Sequence, residues 1–279
     1  MKLLFIGDIA ARPGRDLVRR GLHALVKTHQ IDLVVANAEN AAGGSGITRE
    51  IAHELFKAGI HVLTSGNHIW DKREVRDFID REPRLIRPAN YPAGAPGSGS
   101  CVAEASGGVA VAVVNIMGRV FMASLDDPFV AVTNHIELAR RAGAKIIVVD
   151  FHAEATSEKL AMGWYLDGQV TAVVGTHTHV QTADERILPG GTAYLTDVGM
   201  TGPHDGIIGM ERTAVIARFT TGLPARLEPA SGDPRLHAAV ITADQATGRA
   251  NAIERLSLTG AELEALSARV AAEPAESLP

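Results

Sequence analysis

Short apolar runs that stop at polar turns recur along this chain, and amphipathic stretches separate them. Leu3 to Ile6 reads as a buried strand that ends at Gly7-Asp8. Asp32 to Ala38 reads as a second, with Leu33, Val34 and Val35 at its centre, running into Glu39-Asn40. Ile60 to Thr64 makes a third and delivers Ser65-Gly66-Asn67-His68. Between the first two, Leu17, Val18, Leu22, Leu25 and Val26 fall at helical spacing after Arg12-Pro13-Gly14, with His23 and His29 on or near the polar side. Thr48 to Ala58 predicts another helix, closed by Gly59. Asp71 and Glu74 have capping-box spacing, which predicts a helix starting at Asp71. Strand–helix alternation of this kind builds a sheet with helices on its faces.

The stretch from Pro83 to Gly99 is rich in Pro, Gly, Ala and Ser and reads as a long surface loop between two halves. Cys101 to Ala105 and Val109 to Asn115 follow as a hairpin through Ser106-Gly107-Gly108. Asp127-Pro128 supplies an N-cap and first-turn proline for a helix reaching Arg141. Lys145 to Asp150 is a further buried strand, leading to His152, and Ser157 to Lys159 open a helix. The β-branched run Val170 to Val174 then ends in Gly175-Thr176-His177-Thr178-His179. Beyond a glycine-rich loop at 196–206, the segments Arg212 to Phe219, Ala225 to Leu227, Ala238 to Thr242 and Ala252 to Leu258 alternate like antiparallel strands. Thr259 and Glu262 form a second capping box. The expected organisation is one domain over residues 1–271 and a frayed tail over 272–279.

Composition narrows the function classes. Hydrophobic residues make up 46% and charged residues 21%, an ordinary globular balance, and 279 residues suffice to bury a full core. A net charge of −5 argues against extended nucleic acid as a partner, while a small anion remains compatible because bound cations reverse the charge locally. The single Cys101 excludes an intramolecular disulfide framework and a thiolate zinc cluster. Asp8 interrupts the apolar start too early for a signal peptide, and no apolar stretch approaches the ~18 residues of a membrane span. The expectation is a soluble, cytoplasmic protein with no membrane partner; assembly as a homo-oligomer is left open.

The strand ends carry the chemistry. Asp8, Glu39, Asn40, Asn67, His68, His152, His177 and His179 all fall at or just after predicted strand termini. In an open α/β sheet such ends collect along one edge, where these folds place ligands. A carboxylate such as Glu39 can bridge two cations, and imidazoles with carboxylates suit borderline first-row metals. The set is too large for one tetrahedral zinc and about right for two ions. Asn67 fits as an amide-oxygen ligand. The turn Ala41 to Gly46, containing Ser45, lacks the lysine of a P-loop; only its place beside Glu39 favours a substrate contact. His204, in the loop 201–209 that could close over a substrate, is a second weak substrate contact.

The order Gly7-Asp8, Glu39, Gly66-Asn67-His68, His152 and Gly175-Thr176-His177-Thr178-His179 resembles the calcineurin-like metallophosphoesterase superfamily. Within it, the chain resembles the YmdB family of bacterial metallophosphoesterases, associated with 2′,3′-cyclic nucleotide phosphodiesterase activity. The departures point the same way: Asp8-Ile9-Ala10 lacks the usual histidine, and Asn37-Ala38-Glu39-Asn40 replaces the usual Gly-Asp-x-x-Asp block. An extra Thr176 separates Gly175 from His177. The resemblance implies a four-layer α/β/β/α sandwich of two mixed sheets. It implies Asp8, Glu39, Asn40 and His179 around one metal, and Glu39, Asn67, His152 and His177 around the other. Iron or manganese is the implied metal, with zinc also compatible with the ligand set. His68 is left as general acid, with a metal-bridging hydroxide as nucleophile on a small phosphodiester such as a cyclic nucleotide. For Asp71, an N-cap is the preferred role over orienting His68. A phosphomonoesterase and a slow-turnover regulatory metalloprotein that binds nucleotide or RNA ends are the alternatives.

Overall fold

The computed structural model describes residues 1–273. The first sheet is built from β1 (Lys2–Ile6), β2 (Asp8–Ile9), β3 (Leu33–Asn37) and β4 (Val62–Thr64). The second holds β5 (Ser100–Ala105), β6 (Val109–Met117), β7 (Ile146–His152), β8 (Ala172–Thr176), β9 (Arg186–Ile187) and β10 (Ala193–Leu195). The chain then returns to the first sheet with β11 (Met200–Pro203), β12 (Pro234–Ala243) and β13 (Ala250–Thr259). Strand order is β2-β11-β12-β1-β3-β4 in the first sheet, with β13 on β12, and β5-β6-β7-β8-β10-β9 in the second. Both sheets are mixed: β1 runs parallel to β3 and antiparallel to β12, and β6 runs parallel to β7 and antiparallel to β5.

Period-two alternation creates the layers. On β1, Leu3 and Phe5 point between the sheets, while Leu4 and Ile6 point to the opposite face. There they meet Leu17, Val18, Leu22 and Leu25 of α1 (Ala11–His29), Leu55 of α2 (Arg49–Lys57) and Leu263 of α7 (Gly260–Ala272). On β6, Val111 and Val113 join Leu3 and Phe5 between the sheets. Val114 and Ile116 turn outward to Val132 and Ile136 of α4 (Pro128–Arg141) and Met162 of α5 (Thr156–Tyr165). The expected α/β/β/α sandwich is therefore present, with three apolar layers. Each fully buried aliphatic side chain in them contributes roughly 1.5–3 kcal/mol.

Several local expectations hold to within a residue or two. Thr48 caps α2 by accepting from Ile51 N–H, Asp127 caps α4 with Pro128 behind it, and Thr259 with Glu262 forms the capping box of α7. The loop 83–99 carries the chain from the first sheet to the second.

Two expectations fail for identifiable reasons. Arg212 to Phe219 is not a strand but lies in α6 (Arg212–Thr221), and Ala225 to Leu227 is irregular. The Glu211 side chain accepts from Thr213 and Ala214 N–H, and Gly222 closes the helix in the left-handed region at φ 70. Capping at both ends outweighs the β-propensity of Thr, Val, Ile and Phe. No helix starts at Asp71 either; the short α3 (Val75–Phe78) begins later, because Glu74 accepts from Arg49 N–H and Asp71 is engaged by His68. Of the predicted tail, Ala272 ends α7 and Glu273 pairs with Lys27 at 3.0 Å; residues 274–279 lie outside the described residues. Among the described residues, no helix is long and apolar enough to cross a membrane.

Candidate metal centre

The C-terminal ends of β1, β3, β4, β7 and β8 meet at one edge, and the ligand-type side chains converge there from both sheets. Ligand atoms of Glu39, His152 and His177 lie within 4.8 Å of one another. Glu39 Oε1 is 3.1 Å from His152 Nε2, and Asn67 Oδ1 approaches the same nitrogen at 3.0 Å. The His152 and His177 rings stand 4.7 Å apart. On the other side, His179 Nε2 is 3.1 Å from Asn40 Nδ2 and 3.7 Å from Asp8 Oδ1. Asn40 Nδ2 donates to Glu39 Oε1 at 3.3 Å, which joins the two groups through one carboxylate.

The imidazoles are held in a defined sense. His152 Nδ1–H donates to Thr176 Oγ1 at 2.9 Å, and that hydroxyl donates to Asp150 Oδ1 at 2.7 Å. The relay leaves Nε2 facing Glu39. His179 Nδ1–H donates to the Ile208 carbonyl at 3.0 Å, again leaving Nε2 turned inward. Tying one ring nitrogen in this way fixes the tautomer that a metal-ligating histidine requires. Asp150 also accepts from Thr64 Oγ1 and from Asn37 Nδ2. Burial pushes its carboxyl up to about 6 despite the His152 charge and the hydroxyl bonds.

Electrostatics and space both fit a cation. Asp8 is fully buried and its Oδ1 has no hydrogen-bond partner among the described residues, while Oδ2 accepts from His177 N–H at 3.2 Å. Burial raises its pKa, with the nearby His179 and His152 pulling the other way. A buried carboxylate oxygen without a partner is costly, and a bound cation would satisfy it. Burial and the His152 charge push His177 down to about 3, so that ring is neutral and able to ligate. Burial opposes charge on both Glu39 and His152, yet their mutual attraction holds the carboxyl low and the imidazole high. In the metal-free chain His152 therefore keeps a proton that an ion would displace. Gly66 backs onto this cluster: a Cβ there would stand 2.2 Å from His152 and 2.4 Å from Glu39 Oε2, so only glycine fits.

His68, His204 and Ser45 lie outside the ligand cluster. His68 turns away from the cluster; its backbone N–H donates to Glu39 Oε2 at 3.0 Å, while Nδ1 meets Asp71 Oδ2 at 2.8 Å. Asp71 thus orients His68 rather than capping a helix. His204 is tied by Nε2 to the Met200 carbonyl at 3.1 Å and packs on His237, and Ser45 sits half-buried in the glycine turn. Neither forms a hydrogen bond to the ligand cluster among the described residues. Asn37, Asp150, Glu154, Lys159 and Asp197 were not singled out. A charge closing an apolar β-branched run, as at Asp150, was the one available signal. Glu154 Oε2, 3.1 Å from His177 Nε2, closes the outer side.

His237, beside this edge on β12, makes the fold acid-sensitive. Only 8% exposed, with Nδ1 unpartnered among the described residues, it is pushed down to about 4 by burial and by His204. Its depressed folded value means the unfolded chain takes up the proton first. The contribution is intact above the unfolded value near 6.5 and is lost as pH falls towards about 4. The full loss is at most about 3 kcal/mol. The unfolding free energy of wild type and His237→Phe, followed by urea denaturation, should keep a constant difference above pH 6.5 and diverge below it, with wild type losing more.

The family model described as YmdB-like protein matches residues 4–256. The chain is 52% identical over 257 residues to a Bacillus subtilis (strain 168) protein named 2′,3′-cyclic-nucleotide 2′-phosphodiesterase, spanning 92% of this chain and 96% of that one. A solved structure described as a novel phosphatase from Mycoplasma pneumoniae superposes with a TM-score of 0.86 at 32% identity, covering 93% of each chain. A 5′-nucleotidase precursor from Thermus thermophilus superposes with a TM-score of 0.56 at 14% identity, covering 97% of this chain and 59% of that one. That likeness is one of fold.

Proposed function

The chain belongs to the YmdB-like protein family, and from that premise we propose that it is a metal-dependent phosphodiesterase of small substrates, foremost 2′,3′-cyclic nucleotides. The observation that carries this reading is the cluster of buried Glu39 and His152 with half-buried His177, with Asp8 Oδ1, unpartnered among the described residues, beside it and a solvent-facing His68–Asp71 pair at its rim. Asp8, Glu39, Asn40 and His179 would hold one first-row ion, iron or manganese by family analogy, and Glu39, Asn67, His152 and His177 a second. A half-turn of the Asn40 amide presents its oxygen where Nδ2 now sits. When bound, such ions supply Lewis acidity towards a phosphoryl group and a source of hydroxide at neutral pH.

The protein's own contribution is orientation and a proton. Thr176 and the Ile208 carbonyl hold the His152 and His179 rings in register. Asp71 accepts from His68 Nδ1–H and fixes the ring, which leaves Nε2 to deliver a proton to the departing oxygen. His68 and Asp71 side chains are 39% and 41% exposed, whereas Glu39 and His152 are almost wholly buried, so the proton donor is the member a substrate reaches first. We place the reaction in the cytoplasm and in a single domain over residues 1–271.

Elemental analysis of the purified protein, paired with a hydrolysis panel, tests the reading. A 2′,3′-cyclic mononucleotide should be cleaved faster than long single-stranded RNA by about tenfold or more, equivalent to about 1.4 kcal/mol at the transition state. Preference for the polymer, with a steep salt dependence, would overturn it. Faster turnover of monoesters would favour the phosphatase alternative.

A further inference from the structure

Behind the loop that carries His177 and His179 lies an ion pair that takes no part in ligation. Lys159 projects from α5 and Asp197 follows β10; their side chains are 1% and 0% exposed. Lys159 Nζ donates to Asp197 Oδ2 at 2.6 Å and to the Thr176 carbonyl at 2.8 Å. Asp197 Oδ2 also accepts from Thr178 N–H at 3.2 Å and Thr178 Oγ1 at 2.6 Å, and Oδ1 accepts from Gly199 N–H at 2.8 Å. The pair therefore grips the residue before His177 and the residue between the two histidines. Both histidines are in the left-handed region, at φ 95 and φ 65, which a non-glycine residue keeps only when its surroundings over-determine it. Gly175 completes the seat: a Cβ there would stand 1.8 Å from the Thr196 carbonyl and 3.0 Å from the Lys159 stem.

We infer that Lys159 and Asp197 are positioning residues that hold the strained Thr176–His179 turn in its ligating conformation, so that both imidazoles reach the centre from one rigid backbone. The inference rests on the metal-centre reading. A buried ion pair is weak evidence for stability as such, since apolar replacement is often neutral. Here each partner also bonds to the ligand loop, Lys159 at the Thr176 carbonyl and Asp197 at Thr178, which a purely structural pair would not need to do.

Asp197→Asn provides the main test. An amide has one acceptor oxygen, so it must abandon either Gly199 or the Lys159–Thr178 group. Thr178→Val removes one hydroxyl bond and leaves the ion pair intact, which keeps the idea testable if Asp197→Asn fails to fold. Val173→Ala, in the outer core of the same strand, serves as a control that lowers stability without touching the loop. Chelator-stripped full-length proteins are titrated with Mn²⁺, reading free Mn²⁺ by electron paramagnetic resonance, alongside thermal unfolding. Folded Asp197→Asn should bind Mn²⁺ about 10- to 100-fold more weakly, the range of other residues that orient metal ligands, and Thr178→Val by a smaller factor. Val173→Ala should lower the melting temperature with wild-type Mn²⁺ affinity. Wild-type affinity in Thr178→Val and Asp197→Asn would overturn the positioning role alone. Wild-type protein that takes up no Mn²⁺ would overturn the metal-centre reading, and the inference with it.

Discussion

Glu39→Ala should lose most of its bound metal and its phosphodiesterase activity together, by more than about 100-fold, whereas Glu50→Ala should lose neither. Glu39 is where the two ligand groups join: it touches His152, Asn40 and the backbone N–H of His68. Residues that merely orient ligands cost about 10- to 100-fold when removed, so a shared ligand must cost more. Its loss also strands His152, whose proton is held mainly by this carboxylate against the effect of burial. Glu50, in the first turn of α2, lies on the surface and is the matched control for removing a negative charge. Elemental analysis of both variants decides the matter. Retention of both ions by Glu39→Ala would remove the carboxylate from its bridging place.

His68→Ala should separate proton delivery from metal binding. The imidazole lies outside the ligand cluster and pairs with Asp71, so its removal should leave the metal content unchanged. A positioned general acid is typically worth about 10²- to 10⁴-fold, or about 3 to 5 kcal/mol. That loss should appear on diesters with poor leaving groups. A substrate that releases nitrophenolate needs little protonation and should be affected far less. Asp71→Asn should reproduce a smaller version of the same pattern, because the amide holds the His68 ring less firmly than the carboxylate. Equal losses on both substrates, or loss of metal, would exclude His68 as the acid.

The sandwich and the clustering of candidate residues were legible because both write themselves locally. Leu3 to Ile6, Leu33 to Val35 and Val170 to Val174 are short apolar runs whose period and length specify strands, and each leads into a polar residue that belongs to the site. Capping residues read correctly where the side chain had no better partner, as at Thr259 and Asp127. They misled where a tertiary partner competed. Asp71 is bound by His68 and Glu74 by the start of α2, and neither contact has a local signature. Residues 212–219 failed in the opposite direction, since Glu211 and Gly222 carried helix signals that a β-branched composition masked. The supporting shell was least visible. Lys159 and Asp197 are 38 positions apart, and nothing near either one announces the other.

The return of the last strands to the first sheet bears on the order in which this protein can be made. β1 is flanked by β3 on one side and β12 on the other, with Lys2 opposite Thr242. On a ribosome the edge of β1 that meets β12 must wait, unpaired, until residues 234–243 have emerged. An exposed strand edge is a template for wrong pairing, which places a premium on chaperone cover or rapid closure during synthesis. Asp8, just past β1, shares this delay, because Gly7 N–H pairs with the His237 carbonyl and Asp8 itself lies opposite Met200. The candidate centre is consequently assembled late in synthesis, after β11 and β12 have been made.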